Sequence, residues 1–369
     1  MTNKQIIVAI MINSNSPLLL FSTSTSTIFS LLLFSSFLSS FLPFYFQTLI
    51  ERRPYHTCLP IPGRNFDEKA VMPLSSTSHL ARVTRAVCRQ VPRSVLNGLS
   101  GNKVAEANAP DYQKAVDQHA AYMEHLVEAI GLGEQGVYVC DADENHPDCV
   151  FVEDTAVVSS PTSAVSTSIG VESRRGEEKV VLDALLECGV SDVLNMRSVS
   201  GAHLDGGDVL FTGRHVFVGL SSRTNMLGCE VLRKSFPPGV PIVPVQVVDN
   251  LHFKCSITAV DENNLVVANT DVGRSLVRNA LGALRDGDAE YTVHFVENDI
   301  AANILRCNHV LIVPEGVRKE SRQVYDKIAK NVPGIDELSY VDNSEFVKID
   351  GSLTCRSVLL WDDSNEDKE

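Results

Sequence analysis

Five residues of reactive type fall at nearly even intervals along the chain: Asp154, Asp205, His252, Asn303 and Cys355. The interval is about 50 residues, the length of a repeated supersecondary unit. Equivalent points of a closed ring of such units would all face one axis. Two carboxylates, an imidazole and a thiol from distant parts of the chain would then meet in one pocket. Five independent core positions that happen to be polar would give the same spacing. If the five do meet, the chemistry open to them is nucleophilic catalysis, in which a thiolate attacks, a histidine moves protons and a carboxylate orients the histidine.

The local sequence around each residue narrows its role. Gly351 to Leu360 runs from a glycine turn into an apolar strand and puts Cys355 at the mouth of that strand. A lone cysteine there is more often an inert buried thiol, so a reactive one needs a base and an electropositive partner. His252, in the stretch from Asn250 to Lys254, is the obvious base, although taken alone it reads as a satisfied core histidine. In Leu204 to Asp208 two adjacent glycines let the backbone approach another segment closely, and Asp205 just before them could orient a histidine. A plain turn capped by aspartates uses the same residues. From Asp148 onward an apolar strand is closed by Glu153 and Asp154, and buried carboxylates need a cationic partner, for which a guanidinium has bidentate geometry. Arg174 and Arg223 each stand just ahead of a helix, as solvated cations or as anchors for a substrate carboxylate.

From about Leu80 onward the pattern that must position these residues repeats: extended apolar segments, an amphipathic helix, then another strand. Apolar residues at three-to-four spacing predict helices over 111–130, 175–188, 224–234, 272–284 and 319–330. Strands are predicted ahead of them at 82–87, 149–158, 209–219, 255–268 and 309–313. Five helices imply five units and an α/β fold.

Composition limits the partners. A formal net charge of -14 offers no basic field for phosphates or anionic lipid, so nucleic acid is not expected and a cationic small substrate suits the balance. The nine cysteines are scattered without a CxxC, which favours a reducing compartment and, for the catalytic domain of residues 80–361, the cytoplasm. Residues 1–71 form a separate extension, and 362–369 an acidic tail. From Gln5 to Ile50 there is no Asp, Glu, Lys or Arg. That stretch fits a signal anchor, which would place the protein at a membrane, or an organelle-targeting presequence, or a start placed upstream of the natural one, Met72 being the better-placed alternative.

The motifs together resemble those of the dimethylarginine dimethylaminohydrolases, members of the guanidine-modifying superfamily. The resemblance runs from about Leu80 to Trp361. Its carriers are DCVFVEDTAVV from Asp148, SRR from Ser173, LDGGDVLFTGR from Leu204, FVGLSSRTN from Phe217, LHFK from Leu251, DIAAN from Asp299 and DGSLTC from Asp350. The set in this order is highly specific, although no single string is. It implies an α/β five-bladed propeller, the pentein fold, of strand-strand-helix-strand repeats. It implies hydrolysis of asymmetric dimethylarginine and monomethylarginine to citrulline through a covalent thiouronium, with no metal and no organic cofactor.

Carried over by position, the resemblance makes Cys355 the nucleophile, His252 the proton donor and then general base, and Asp205 the residue that orients it. Asp154 would hold the guanidinium with Glu153 supporting it. Asp148 and the backbone near Leu99 would take the α-amino group, Arg174 and Arg223 the α-carboxylate, and Ile349 would offer its backbone. The loop from Arg93 to Lys103 differs from the family in length, and Arg356 stands where some members have a second cysteine. The partner implied is the small substrate, with the protein itself a monomer or homodimer. An arginine deiminase or amidinotransferase would share fold and triad, but such enzymes carry an aspartate two residues beyond the histidine, where this chain has Lys254. A relative that binds arginine without turning it over would also keep the pocket.

Overall fold

The computed structural model describes residues 6–9, 20–23, 81–98, 109–285 and 290–362. Leu99, nearly all of the N-terminal extension and the end of the acidic tail lie outside them. Met1–Ala70 separates as a unit of its own, in which Ile6–Ala9 pairs antiparallel with Leu20–Thr23. No helix among the described residues is long and apolar enough to cross a membrane.

The second unit, Val71–Glu369, carries five three-stranded sheets among its described residues, all built to one plan. The chain enters at β1 (Arg82–Arg89), passes through helix α1 (Tyr112–Ile130) and returns as β2 (Val137–Cys140), parallel to β1. The next sheet is β3 (Ala156–Ser160), β4 (Ser163–Ser166), helix α2 (Glu178–Glu187) and β5 (Asp192–Asn195). Then come β6 (Val209–Phe211), β7 (Val216–Leu220), α3 (Met226–Arg233) and β8 (Ile242–Gln246). The fourth is β9 (Ile257–Ala259), β10 (Asn264–Ala268), α4 (Asp271–Gly282) and β11 (Thr292–Val296). The fifth is β12 (Leu305–Cys307), β13 (Val310–Pro314), α5 (Lys319–Asn331) and β14 (Glu337–Val341). In the second to fifth sheets the first two strands pair antiparallel through a short connection, and the last two pair parallel across the helix. A parallel pair needs such a crossover, whereas an antiparallel pair can close on a tight turn.

The first sheet completes the plan with strand β15 (Val358–Asp362) from the far end of the chain, which pairs antiparallel with β1. The core is divided in the same way. One apolar cluster joins the first sheet to the second through Val87, Val358, Val158 and Leu185. Another joins second to third through Val165, Leu204 and Val218, and a third joins third to fourth through Phe217, Phe253 and Val267. A fourth cluster joins fourth to fifth through Val266, Val296 and Leu311, and a fifth returns from fifth to first through Val310, Cys88 and Leu126. No sheet has a core of its own; each buries its apolar faces against its neighbours, as repeat units do.

The observed helices match the periodicity closely. The strand expected over 149–158 does not: residues Val152–Thr155 form a 3-10 turn, and only Ala156–Ser160 is extended. Side-chain alternation carries the reason, because Glu153 and Asp154 are both buried, and a strand would send one of two adjacent side chains to the opposite face. Likewise Cys255 lies in the helical turn Phe253–Ser256 rather than in the strand expected from 255 onward.

Candidate active site

All five evenly spaced residues occupy the short turn just ahead of the first strand of a sheet. Asp154 lies in the turn Val152–Thr155, and Asp205 caps the turn Gly206–Asp208. His252 caps Phe253–Ser256, Asn303 ends Asp299–Ala302, and Cys355 lies in Thr354–Arg356. These turns pack on one another: that of Asp154 against those of Asp208 and Cys355, and that of Phe253 against those of Asp208 and Asp299.

The glycines of the LDGGD motif make the approach possible. A β-carbon on Gly206 would stand 1.9 Å from the Glu153 carbonyl oxygen, and one on Gly207 would stand 2.7 Å from His252 Nδ1. His252 Nε2 lies 3.1 Å from Asp205 Oδ2 and 4.0 Å from Asp154 Oδ1. Asp205 is fully buried and oriented in turn, since Oδ1 accepts from the Gly170 N–H at 2.8 Å. Asp208 accepts from the Phe253 N–H at 2.9 Å and from the Ser221 hydroxyl at 2.6 Å, which fixes the turn that His252 begins. Burial alone would lower the His252 pKa, but Asp154, Asp205 and Asp208 outweigh it and raise it to about 9. The imidazole is therefore held as imidazolium, an acid, at neutral pH.

A second network ties the thiol to this centre. The Asn303 amide donates to the Lys254 carbonyl at 3.0 Å and accepts from the Thr354 N–H at 3.0 Å. The Thr354 hydroxyl donates to Glu153 Oε2 at 3.0 Å, and Lys254 Nζ stands 2.6 Å from Glu153 Oε1. Thus one residue before Cys355 and two beyond His252 share the same carboxylate. Cys355 is half-buried, and burial, followed by the facing carboxylates of Glu153 and Asp154, raises its thiol well above the usual value. Ionising it calls for a cation in the pocket.

Arg174 departs from the expectation of a cation waiting for substrate. It is buried, with Nη1 2.7 Å from Asp154 Oδ2, and Nε and Nη2 both on Glu177. The protein thus supplies the cationic partners of its buried acids itself, Arg174 for Asp154 and Lys254 for Glu153. Burial would raise the Asp154 carboxyl, but His252 and Arg174 hold it below the usual carboxylate range. Arg223 is half-buried, and its backbone donates to the Ser221 hydroxyl at 2.9 Å. Asp148 and Arg174 border a cavity of about 150 Å³ that also touches Gly98, Ser173 and Glu177. Ile349 is buried among Phe151, Phe346 and Val150, the cluster on which Cys355 packs. A larger cleft of about 420 Å³ lies at Arg89, Cys140 and Asp183, away from all these groups.

Sequence reasoning assigned no role to Asp208, Glu177 or Thr354, although all three lie in or beside quoted motifs; only the fold shows which groups they orient. Donor atoms of Asp154, Asp205 and His252 lie within 4.8 Å of one another, close enough for a metal ion. Both oxygens of each carboxylate, however, already face a hydrogen-bond donor or cation of the protein. The geometry is that of an ion-paired acid/base centre.

A family model described as "N,N dimethylarginine dimethylhydrolase, eukaryotic" matches residues 99–309. The N(G),N(G)-dimethylarginine dimethylaminohydrolase of Pseudomonas aeruginosa is 29% identical over 276 residues, covering 74% of this chain and 97% of that protein. Its counterpart from Streptomyces coelicolor is 33% identical over 258 residues, covering 69% and 89%. The solved structure of a cysteine-to-serine variant of the Pseudomonas aeruginosa enzyme with citrulline superposes with a TM-score of 0.60 at 26% identity, covering 75% of this chain and 99% of that one. The N-terminal domain of a cyanobacterial arginine dihydrolase has a TM-score of 0.58 at 16% identity, covering 75% and 98%, a likeness of fold. The architecture is the α/β pentein fold with small mixed sheets, and the chain belongs to the dimethylarginine dimethylaminohydrolase family, hydrolases of the guanidino carbon–nitrogen bond.

Proposed function

We propose that the protein hydrolyses asymmetric dimethylarginine and monomethylarginine to citrulline, releasing dimethylamine or methylamine. The observation that carries this reading is the packing of the Asp154, Asp205, His252 and Cys355 turns on one another at the leading ends of the sheets. The five sheets, joined in a cycle by five apolar clusters, fit five blades of a propeller around that point.

Asp154 takes the substrate guanidinium, and Glu153 supports the pocket through Thr354. Asp148, with the backbone at Leu99 and Ile349, takes the α-amino end in the neighbouring cavity. Arg223 binds the α-carboxylate, and Arg174 assists from the cavity wall while holding Asp154. The arriving cation offsets the two carboxylates facing Cys355 and favours its thiolate. The thiolate attacks the guanidino carbon, His252 gives its proton to the departing amine, and the carbon–nitrogen bond breaks to leave a thiouronium on Cys355. Neutral His252 then takes a proton from water, and the hydroxide adds to the same carbon. The carbon–sulfur bond breaks, returning the thiolate and releasing citrulline.

Lys254 supports a methylated substrate. Paired with Glu153, it stands where a deiminase would offer a second carboxylate, so the far nitrogen of arginine would keep bare donors. Each unsatisfied donor costs about 1–3 kcal/mol, enough to reject arginine by an order of magnitude or more. The test is kcat/KM for asymmetric dimethylarginine, monomethylarginine, symmetric dimethylarginine and arginine. The first two should be turned over, symmetric dimethylarginine little and arginine poorly. Preference for arginine would move the protein to the deiminases.

A further inference from the structure

Arg356 directly follows Cys355 and is fully buried. Its guanidinium carbon lies 4.2 Å from the Tyr122 ring centroid and 4.5 Å from that of Phe346, so the cation is held between two aromatic faces. Nη1 reaches the Gln118 carbonyl at 3.4 Å, while Nε and Nη2 have no hydrogen-bond partner. Among the described residues no carboxylate forms an ion pair with it. A buried cation in this state works against stability. Phe346 belongs to the cluster on which Cys355 packs, so cation and thiol both adjoin the same apolar cluster.

We propose that Arg356 is an electrostatic support for the nucleophile, a permanent buried cation whose field favours the thiolate of Cys355. The inference rests on Cys355 being the nucleophile. The strongest influences on the thiol besides burial are Glu153, Asp154 and Cys255, all of which oppose its ionisation, while a backbone hydrogen bond at Ser352 favours it and Arg356 and Cys355 favour each other's charged form. Burial and those carboxylates dominate at the thiol, so the cation moderates a penalty that substrate binding then removes. The groups facing Arg356 are Tyr122, Cys88, Cys355 and Asp342. Burial lowers the guanidinium to about 10 against their opposing effect, which leaves it charged at neutral pH. The adjacent His119 is pushed down to about 3, first by burial and then by Arg356, and stays neutral.

The test is the pH profile of iodoacetamide alkylation at Cys355 in the full chain, read by mass spectrometry of its peptide. Arg356→Met and Arg356→Gln remove the charge, and Arg356→Lys keeps it. The neutral variants should raise the midpoint by about one pH unit, slowing alkylation at pH 7 roughly tenfold, and lysine should restore most of the loss. The Met variant should melt no lower than the parent, because an unpaired buried cation has been removed. Coincident profiles in parent and neutral variants would overturn the proposal. A shift that lysine does not reverse would assign the effect to packing and overturn it too, as would failure of both neutral variants to fold while the lysine variant folds. Alkylation needs no turnover, so citrulline release by the parent tests the proposed activity separately.

Discussion

Arg174 touches two buried carboxylates, so losing its guanidinium strands charge. Arg174→Ala should destabilise the fold by about 3–5 kcal/mol, the cost of breaking a buried pair from one side. Arg223→Ala, at a half-exposed position, should lower kcat/KM by about 1.5–3 kcal/mol and leave the melting midpoint nearly unchanged. Thermal melts beside kinetics separate the two, and equal melting losses would contradict the difference drawn here. Cys355→Ser should fold normally and release no citrulline, because a hydroxyl has no comparable anion at neutral pH. As the proposed proton donor, His252 should set the alkaline limit of activity. Its pKa is raised from 6.5 to about 9, so its contribution to stability is whole below 6.5 and is lost as pH rises through 9. The amine-releasing step should weaken over the same upper range. A pH series of kcat and of melting midpoints checks both, and Asp205→Asn should move the alkaline limb to lower pH.

At the level of elements, the turns ahead of the strands are where structure and chemistry share residues. A β-carbon on Gly206 would meet a backbone oxygen at 1.9 Å, and backbone cannot swing aside as a flexible side chain does. Gly206→Ala should therefore prevent the Asp205 and Glu153 turns from packing, seen as a large loss of melting temperature together with activity. Asp208→Ala should be milder. It removes the acceptor for the Phe253 N–H in the turn that positions His252, at a cost of about 1–3 kcal/mol. Its mark should be a fall in kcat larger than any change in KM. An unchanged kcat would limit Asp208 to a packing role.

Across the whole domain, β15 is the strand that joins the last part of the chain to the first sheet. Val358 and Leu360 are buried in the cluster shared by the first and second sheets. Truncation after Ser357 removes both, at about 1.5–3 kcal/mol each, and leaves β1 with an unpaired edge, against a typical total stability of only about 5–15 kcal/mol. The truncated chain should lose its cooperative melt even though Cys355 remains. A sharp melt near that of the parent would show that the closing strand is dispensable.

The five-unit α/β plan, the helices and the even spacing of Asp154, Asp205, His252, Asn303 and Cys355 were legible in the sequence, because periodicity is a local property and repeats copy it. The glycines of the LDGGD motif were legible as a close approach for the same reason: only a residue without a side chain fits. The partners of the charges were not. Arg174 and Lys254 look like surface cations when read along the chain, and become the counter-ions of Asp154 and Glu153 only when turns far apart in sequence are brought together. The 3-10 turn at Val152–Thr155 escaped because an apolar run followed by two acids has no period that separates strand from turn. Likewise Arg356 is one more charged residue in the sequence. Its burial between Tyr122 and Phe346 is decided by tertiary packing alone, since those rings come from segments far from it or on the other side of a turn.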